Sequence, residues 1–192
     1  MTHATRFTAG KNMSIIAGRL GLAASFALGV LFAAGEVHAA AIKIVAIGAS
    51  NTLGWGVAPE QAYPAQLQAL LRSKGFDAAV RNAGVSFDTT GGMLARLDGD
   101  VPDGTDIVII QPGGNDRRFL VSNERRAANI DAMVAKLVAR NIKAIVYDPV
   151  FEARYYQWDT IHINVEGHAM IARSLLPQVI AAITPRSRKP HN

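Results

Sequence analysis

The sequence of 192 residues predicts a three-layer α/β/α fold built on a small parallel sheet of four to five strands. Two observations carry this prediction. Short runs rich in isoleucine and valine recur along the chain, and segments with helical periodicity separate them. Strands that alternate with helices are typical of parallel sheets joined by right-handed crossovers, and near-continuous apolar runs are typical of strands buried on both faces.

The first 39 residues are predicted to be a secretory signal peptide rather than part of the fold. Basic residues precede a small and apolar stretch, residues 20–35, and alanines follow that suit cleavage after Ala39 or Ala41. The alternative is an uncleaved membrane anchor, but the apolar run is shorter than the roughly 20 residues that span a bilayer. We therefore expect a periplasmic or secreted protein without a stable membrane anchor after cleavage.

Residues 40–184 are then expected to form one domain, followed by a basic, disordered tail at residues 185–192. The formal net charge of the chain is +5, and part of it lies in this tail. No basic stripe interleaves with aromatic residues, so nucleic acid is not an expected partner. Because the chain has no cysteine, the domain must be stable without disulfides and cannot hold a thiolate zinc site.

Four strands and four main helices are predicted in alternation. The strands are residues 42–47, 78–81, 106–110 and 143–147, and a fifth strand forms if residues 151–155 pair with the sheet; the helices are residues 63–75, 90–97, 123–140 and 165–183. Pro64 suits the first turn of the first helix, and Gly75 ends it. Asn164 is a candidate N-cap for the last helix, in which Pro177 is expected to produce a kink.

Polar residues follow the strands at one edge of the predicted sheet. Ser50 follows the first strand, residues 82–88 follow the second and Asn115 the third, while Asp159 and His162 precede the last helix. Sites in open parallel sheets lie at the carboxyl ends of the strands. Each residue alone is more typical of a turn, a cap or a loop, but their shared position indicates that they converge.

Acyl transfer by a serine requires this set of side chains. The reaction needs a nucleophile, a base that takes its proton, a group that orients the base, and donors for the oxyanion. His162 can be the base because an imidazole titrates near neutral pH. Asp159, three residues earlier, can accept from Nδ1 and leave Nε2 facing Ser50. The Asn115 amide and the backbone N–H of Ser50 can donate to the oxyanion.

Taken in order, these segments resemble the sequence blocks of the SGNH hydrolases, also called GDSL esterases and lipases. The matching segments are Gly48-Ala49-Ser50-Asn51-Thr52, residues 82–90, Gly113-Gly114-Asn115-Asp116 and Asp159-Thr160-Ile161-His162, within a resemblance that covers about residues 42–183. The resemblance implies the fold of that family, with Ser50 as nucleophile and His162 and Asp159 as base and orienting acid. It also implies that Asn115 and the amide of Phe87 serve the oxyanion hole.

The chain departs from the family pattern at three places. Ala49 replaces the acid that usually precedes the serine, and only a modest effect on the turn is expected. Phe87 replaces the oxyanion-hole glycine, where it would be strained if the backbone needs a positive φ, or could instead wall an acyl pocket. The connection from Asn115 to Asp159 lacks a helix and a strand of the family, so the loop with Asp159 and His162 is expected to be less firmly placed.

The predicted function is therefore an exported hydrolase of small acyl esters that works through an acyl-enzyme, without a cofactor or metal. Lysophospholipids, short-chain esters, aryl esters, thioesters and acetylated sugars all stay open as substrates. The residues expected to line the acyl pocket are Leu53, Trp55, Phe87, Phe119, Tyr156 and Trp158. Arg117 and Arg118 could face an anionic head group, although solvated arginines are the more common case.

The main alternative is an SGNH-fold binding or scaffold domain with impaired catalysis, which Phe87 and the shortened connection would permit. A nucleotide-binding loop at residues 48–56 is disfavoured because the segment lacks G-x-G-x-x-G and the Gly-Lys-Ser/Thr ending. The segment is also not the G-x-S-x-G elbow of α/β-hydrolases, since Thr52 stands where the second glycine belongs. A metal site from Asp159, His162 and His168 is disfavoured because His168 belongs to the last helix.

Overall fold

A computed structural model describes residues 41–183, which lie within one compact unit. The predicted signal peptide and basic tail lie outside the described residues. Four parallel strands form one sheet with the order β2-β1-β3-β4. They are β1 (Ile42–Gly48), β2 (Ala78–Gly84), β3 (Ile107–Gln111) and β4 (Lys143–Val146). The predicted α/β fold with a small parallel sheet is therefore confirmed.

Four long helices connect and cover the strands, and two short ones follow strand ends. The helices are α1 (Ser50–Leu53), α2 (Tyr63–Ser73), α3 (Thr90–Asp100), α4 (Asn115–Arg118), α5 (Asn123–Ala139) and α6 (Val165–Ile183), with 3₁₀ turns at Pro59–Gln61 and Ala153–Tyr155. As predicted, Asn164 caps α6, because its Oδ1 accepts a hydrogen bond from the N–H of Gly167 at 2.9 Å. Pro177 lies inside α6 without ending it.

The sheet separates two apolar layers, as the period of two along a strand requires. Ile44 and Ala46 of β1 pack with the buried faces of α2 and α6. Val45 and Ile47, which point the other way, pack with α3 and α5. All five residues of the central strand β3 are buried, so burial on both faces explains its continuous apolar sequence.

The edge strand β2 is longer than predicted, because it continues past residue 81 to Gly84. Its residues pair with β1 in register, from Ile42 opposite Ala78 to Gly48 opposite Gly84. Several residues of β2 are exposed, and polar residues such as Asn82 are tolerated there. The apolar pattern that predicts a strand from the sequence therefore stops before the strand does. Pairing with a buried neighbour, rather than local propensity, sets its length.

Residues 151–155 do not add a fifth strand, and the sheet within residues 41–183 has four. Ala153–Tyr155 is a 3₁₀ turn, and the next residue, Tyr156, forms an isolated antiparallel bridge with Ile163. The segment therefore pairs with its own continuation instead of with β4. None of the helices in the described part of the chain is long and apolar enough to cross a bilayer.

A buried histidine joins α2 to α6. His168 is fully buried, and its Nδ1 accepts a hydrogen bond from the backbone N–H of Tyr63 at 3.2 Å. The ring also stacks on that of Tyr63, with 6.5 Å between centroids. Its Nε2 has no hydrogen-bond partner within residues 41–183. Burial disfavours the imidazolium and lowers the pKa of His168 from 6.5 to about 4.

This lowered pKa makes the fold sensitive to mild acid. The unfolded chain takes up a proton at His168 near pH 6.5, whereas the folded chain does so only near pH 4. The free energy of unfolding should therefore have its full value above pH 6.5, the pKa of His168 in the unfolded chain. It should fall by up to about 3 kcal/mol as the pH decreases from 6.5 to about 4. Urea unfolding across the window measures the effect. His168→Asn, which can still accept from Tyr63, should show a flatter profile, and an equally steep one would contradict this origin.

Candidate active site

Ser50 is the first residue of α1, directly after β1 ends at Gly48. The turn is closed by the backbone N–H of Leu53, which donates to the carbonyl of Ala49 at 3.0 Å. Gly54, with φ of 91°, ends the helix and donates to the carbonyl of Ser50 at 3.0 Å. Ser50 is partly exposed and lies at the carboxyl edge of the sheet.

Two side chains fix α1 to the sheet beneath it. Thr52 is fully buried, and its hydroxyl donates to Oε1 of Gln111, the last residue of β3, at 2.6 Å. The side-chain amide of Asn82 donates to the carbonyls of Thr52 at 2.9 Å and of Leu53 at 3.2 Å. Asn82 therefore satisfies carbonyls that the end of a helix leaves without partners.

Asp159 and His162 form a pair within one tight turn. Oδ2 of Asp159 lies 2.5 Å from Nδ1 of His162. Its Oδ1 accepts from the backbone N–H groups of Ile161 and His162, each at 2.9 Å. Thr160, which follows Asp159, has a φ of 58°, and this left-handed residue closes the turn.

The turn also sets the charge of the pair. The backbone N–H of His162 lowers the pKa of Asp159 from 3.8 to about 2, with further contributions from the His162 side chain and the N–H of Ile161. The carboxylate is therefore ionised well below neutral pH. An ionised carboxylate on Nδ1 places the proton of a neutral imidazole there and leaves Nε2 as the free base.

The loop with this pair contacts the Ser50 turn. Oδ1 of Asn51 accepts from the backbone N–H of Ile163 at 2.9 Å, and the ring of Trp55 stacks on that of His162, with 5.7 Å between centroids and 29° between planes. Among the described residues no hydrogen bond joins the hydroxyl of Ser50 to Nε2 of His162. Catalytic hydrogen bonds of this kind are often long without substrate and shorten when it binds.

Asn115 is the first residue of α4, on the same edge. Its Nδ2 donates to the carbonyl of Asp88 at 2.8 Å, which uses one of the two N–H groups of the amide. Asp116 is buried and accepts from the hydroxyl of Thr90 at 2.6 Å and from the Thr90 N–H at 3.1 Å. The N-terminus of α3 thus holds α4, and with it Asn115, in place.

Phe87 has φ of 63°, the left-handed conformation that the sequence analysis identified as a source of strain. Its side chain is 62% exposed, so no burial of the ring holds it there. The guanidinium carbon of Arg118 lies 6.0 Å from the centre of the ring. Phe87 therefore combines a bulky side chain with a backbone conformation that favours glycine.

An ion pair that was not predicted from the sequence supports the Phe87 loop. Nε of Arg96 lies 2.8 Å from Oδ2 of Asp88, and Nη2 of Arg96 donates to the carbonyl of Gly48 at 3.0 Å. Arg96 thus joins the loop after β2 to the end of β1. The only signal in the sequence is an arginine on the polar side of a predicted helix, which is too common to indicate this role.

The residues predicted to bind substrate follow strand ends in α1 or in loops, and all but one of them are exposed. The exposed ones are Leu53, Trp55, Phe87, Phe119 and Trp158, and Trp158 is 93% exposed. Leu53 also lines a groove of about 390 Å³ together with Val57 and Val80. Tyr156 instead packs partly buried against the core, edge-on to Phe151. Within residues 41–183 no group of three His, Asp or Glu residues is arranged to hold a metal ion.

Comparison with known proteins matches most of the described chain to one family. A model of the GDSL-like lipase/acylhydrolase family matches residues 46–173. The chain is 32% identical over 110 residues to Esterase TesA of Pseudomonas aeruginosa, an alignment that covers 57% of this chain and 55% of that protein. It is 34% identical over 88 residues to an arylesterase of Vibrio mimicus, which covers 45% and 44% of the two chains. The chain thus spans about half the length of these relatives.

The fold is also found among solved structures. The crystal structure of TesA matches with a TM-score of 0.68 at 21% identity, over 73% of this chain and 99% of that one. At this identity the likeness concerns the fold alone.

The left-handed conformation of Phe87 predicts a specific order of stability. Glycine adopts positive φ without the penalty that a Cβ brings, so Phe87→Gly should be more stable than Phe87→Ala by about 1 kcal/mol. Both variants lose the ring and its contact with Arg118, so alanine is the matched control. Urea unfolding of the two variants measures the difference. An alanine variant at least as stable as the glycine variant would show that the position is not strained.

Proposed function

The chain belongs to the GDSL-like lipase/acylhydrolase family, and we propose that it is an exported serine hydrolase of acyl esters with Ser50 as its nucleophile. The predicted resemblance to the SGNH hydrolases is thereby confirmed at the level of the family. The observation that carries the proposal is the Asp159–His162 pair, 2.5 Å between Oδ2 and Nδ1, on a loop that Asn51 joins to the Ser50 turn.

In the first step Ser50 Oγ attacks the carbonyl carbon of the ester while Nε2 of His162 takes its proton. The carbonyl oxygen becomes an oxyanion, which the second N–H of the Asn115 amide and the backbone N–H groups of Ser50 and Phe87 stabilise. His162 then gives its proton to the alkoxide oxygen, and the alcohol leaves. The product of this step is an acyl-enzyme on Ser50.

In the second step water takes the place of the alcohol. His162 removes a proton from the water, and the resulting hydroxide attacks the acyl carbonyl. The tetrahedral intermediate breaks down to the carboxylic acid, and Ser50 recovers its proton from His162. Asp159 stays ionised throughout, because its pKa of about 2 is far below neutral pH, and it stabilises the imidazolium formed in each step.

The acyl group of the substrate is proposed to contact exposed apolar side chains at this edge of the sheet. Phe119 and Leu53 are 52% and 42% exposed, and side chains of this kind release water when an acyl chain covers them. The two curated relatives are named an esterase and an arylesterase, which supports an oxygen ester as substrate. The predicted signal peptide supports action outside the cytoplasm.

The nucleophile can be tested with soluble p-nitrophenyl esters of short acids. Ser50→Ala should lower kcat by roughly a thousandfold or more, because no acyl-enzyme can form. Ser174→Ala, on the outer face of α6, is the matched serine control and should keep the activity. Equal hydrolysis by the wild-type protein and Ser50→Ala would exclude this mechanism. A folded wild-type protein without activity would favour the binding or scaffold domain.

The oxyanion role of Asn115 predicts a second effect. Asn115→Ala should lower kcat roughly a hundredfold with little change in KM, because the donor acts on charge that develops in the transition state. Asn123→Ala, at the exposed start of α5, is the matched control. Steady-state kinetics with circular dichroism of each variant provides the measurement. An unchanged kcat in a folded Asn115→Ala variant would remove Asn115 from the oxyanion hole.

A further inference from the structure

The loop with Asp159 and His162 is not continuous with any strand of the sheet in the described residues. β4 ends at Val146, and residues 147–164 lead to α6 with only a 3₁₀ turn and the isolated bridge between Tyr156 and Ile163. The backbone of the sheet therefore fixes Ser50 but does not fix His162. Contacts other than strand pairing must set the relation between these two side chains.

The loop has internal order of its own. The backbone N–H of Gln157 donates to the carbonyl of His162 at 2.7 Å, and the N–H of Asn164 donates to the carbonyl of Tyr155 at 2.8 Å. Together with the Tyr156–Ile163 bridge, these bonds make residues 155–164 a small hairpin. They keep Asp159 and His162 together, but they do not attach the hairpin to Ser50.

Asn51 makes one attachment, from the residue next to the nucleophile. Its Oδ1 accepts from the N–H of Ile163 at 2.9 Å, and its Nδ2 donates to the carbonyl of Ile161 at 3.4 Å. The two contacts lie on either side of His162 in the sequence. Because Asn51 belongs to α1, any movement of the hairpin relative to Ser50 must stretch them.

Gln157 makes a second attachment in the opposite direction. Its Nε2 donates to the carbonyl of Trp55 at 2.7 Å and to that of Ile163 at 2.9 Å. Gly56, with φ of 78°, leaves the space for this amide, since a Cβ there would collide with the Gln157 side chain. The bond to Trp55 also holds the segment whose indole stacks on His162.

We propose that Asn51 and Gln157 are positioning residues, an amide clamp that aligns Nε2 of His162 with Ser50. The inference rests on the proposed function, in which His162 takes the proton of Ser50. The clamp takes the place of a strand, because three hydrogen bonds from two side chains connect the hairpin to the nucleophile turn. Misplacement of a reacting group by about 1 Å can lower a rate roughly a hundredfold, so small shifts of the hairpin matter.

The kinetic test compares single variants on a soluble p-nitrophenyl ester. Asn51→Ala and Gln157→Ala should each lower kcat between about tenfold and a hundredfold. In Asn51→Ala the KM should change less than about twofold, because Asn51 is not among the residues predicted to line the acyl pocket. Asn51→Asp should recover part of kcat, since its carboxylate still accepts from the N–H of Ile163. Gln178→Ala is the matched control, because Gln178 donates to a backbone carbonyl within α6, and it should act like the wild-type protein.

A spectroscopic readout tests the clamp without turnover. The Trp55 ring lies over His162, so its ring current shifts the proton signal on Cε1 of His162. In Asn51→Ala and Gln157→Ala this signal should move toward the value of a free imidazole, and in Gln178→Ala it should not move. The Nδ1 proton signal of the Asp159–His162 pair should persist in all three variants, because the hairpin keeps that pair together.

These outcomes separate the clamp from the proposed function. If Ser50→Ala is inactive but Asn51→Ala and Gln157→Ala keep the wild-type kcat, the clamp is wrong and the serine mechanism stands. If the wild-type protein has no activity that depends on Ser50, the mechanism is wrong, and the proton signal of His162 still decides on the clamp. An unmoved signal in both alanine variants overturns the clamp in either case.

Discussion

The whole site depends on the close approach of α1 to the carboxyl ends of β1 and β2. A Cβ on Gly84 would collide with the backbone of Leu53, and a Cβ on Gly48 would lie 2.8 Å from the carbonyl of Gln111 and against the Thr52 side chain. Only glycine fits at these two strand ends, which lie opposite each other in the register. With α1 held there, Ser50 lies at the edge of the sheet and Asn51 reaches the hairpin with His162.

The fold could be predicted, and the candidate site residues could be placed at one edge of the sheet, because both depend on local patterns. Continuous apolar runs reveal strands buried on both faces, and the position of Ser50 and Asn115 after such strands places them at one edge. The three-residue spacing of Asp159 and His162 is also local, and one turn brings the two side chains together. The length of β2 could not be predicted from the apolar pattern, because an edge strand with an exposed face carries polar residues.

The contacts that hold the site together could not be predicted from the sequence. Asn51 bonds to Ile163 across 112 positions, and Gln157 bonds to Trp55 across 102 positions. An asparagine beside a serine and a glutamine in a loop have no periodicity that indicates a partner. The shortened connection was expected to place the loop with Asp159 and His162 less firmly, but nothing in the sequence indicates that side-chain amides attach this loop to the Ser50 turn.

The two unusual features of this site have different physical consequences. Phe87 keeps a left-handed backbone at φ of 63°, and such strain persists only where surrounding contacts over-determine the conformation. Arg96 and Asn115 provide those contacts, since both bond to Asp88, the next residue. The Phe87 loop is thus held by an ion pair and by the Asn115 amide, whereas neutral side-chain amides attach the hairpin with His162 to the nucleophile turn. In the proposed mechanism, replacing a clamp amide therefore acts on the rate through the position of His162, whereas replacing Asn115 removes an oxyanion donor directly.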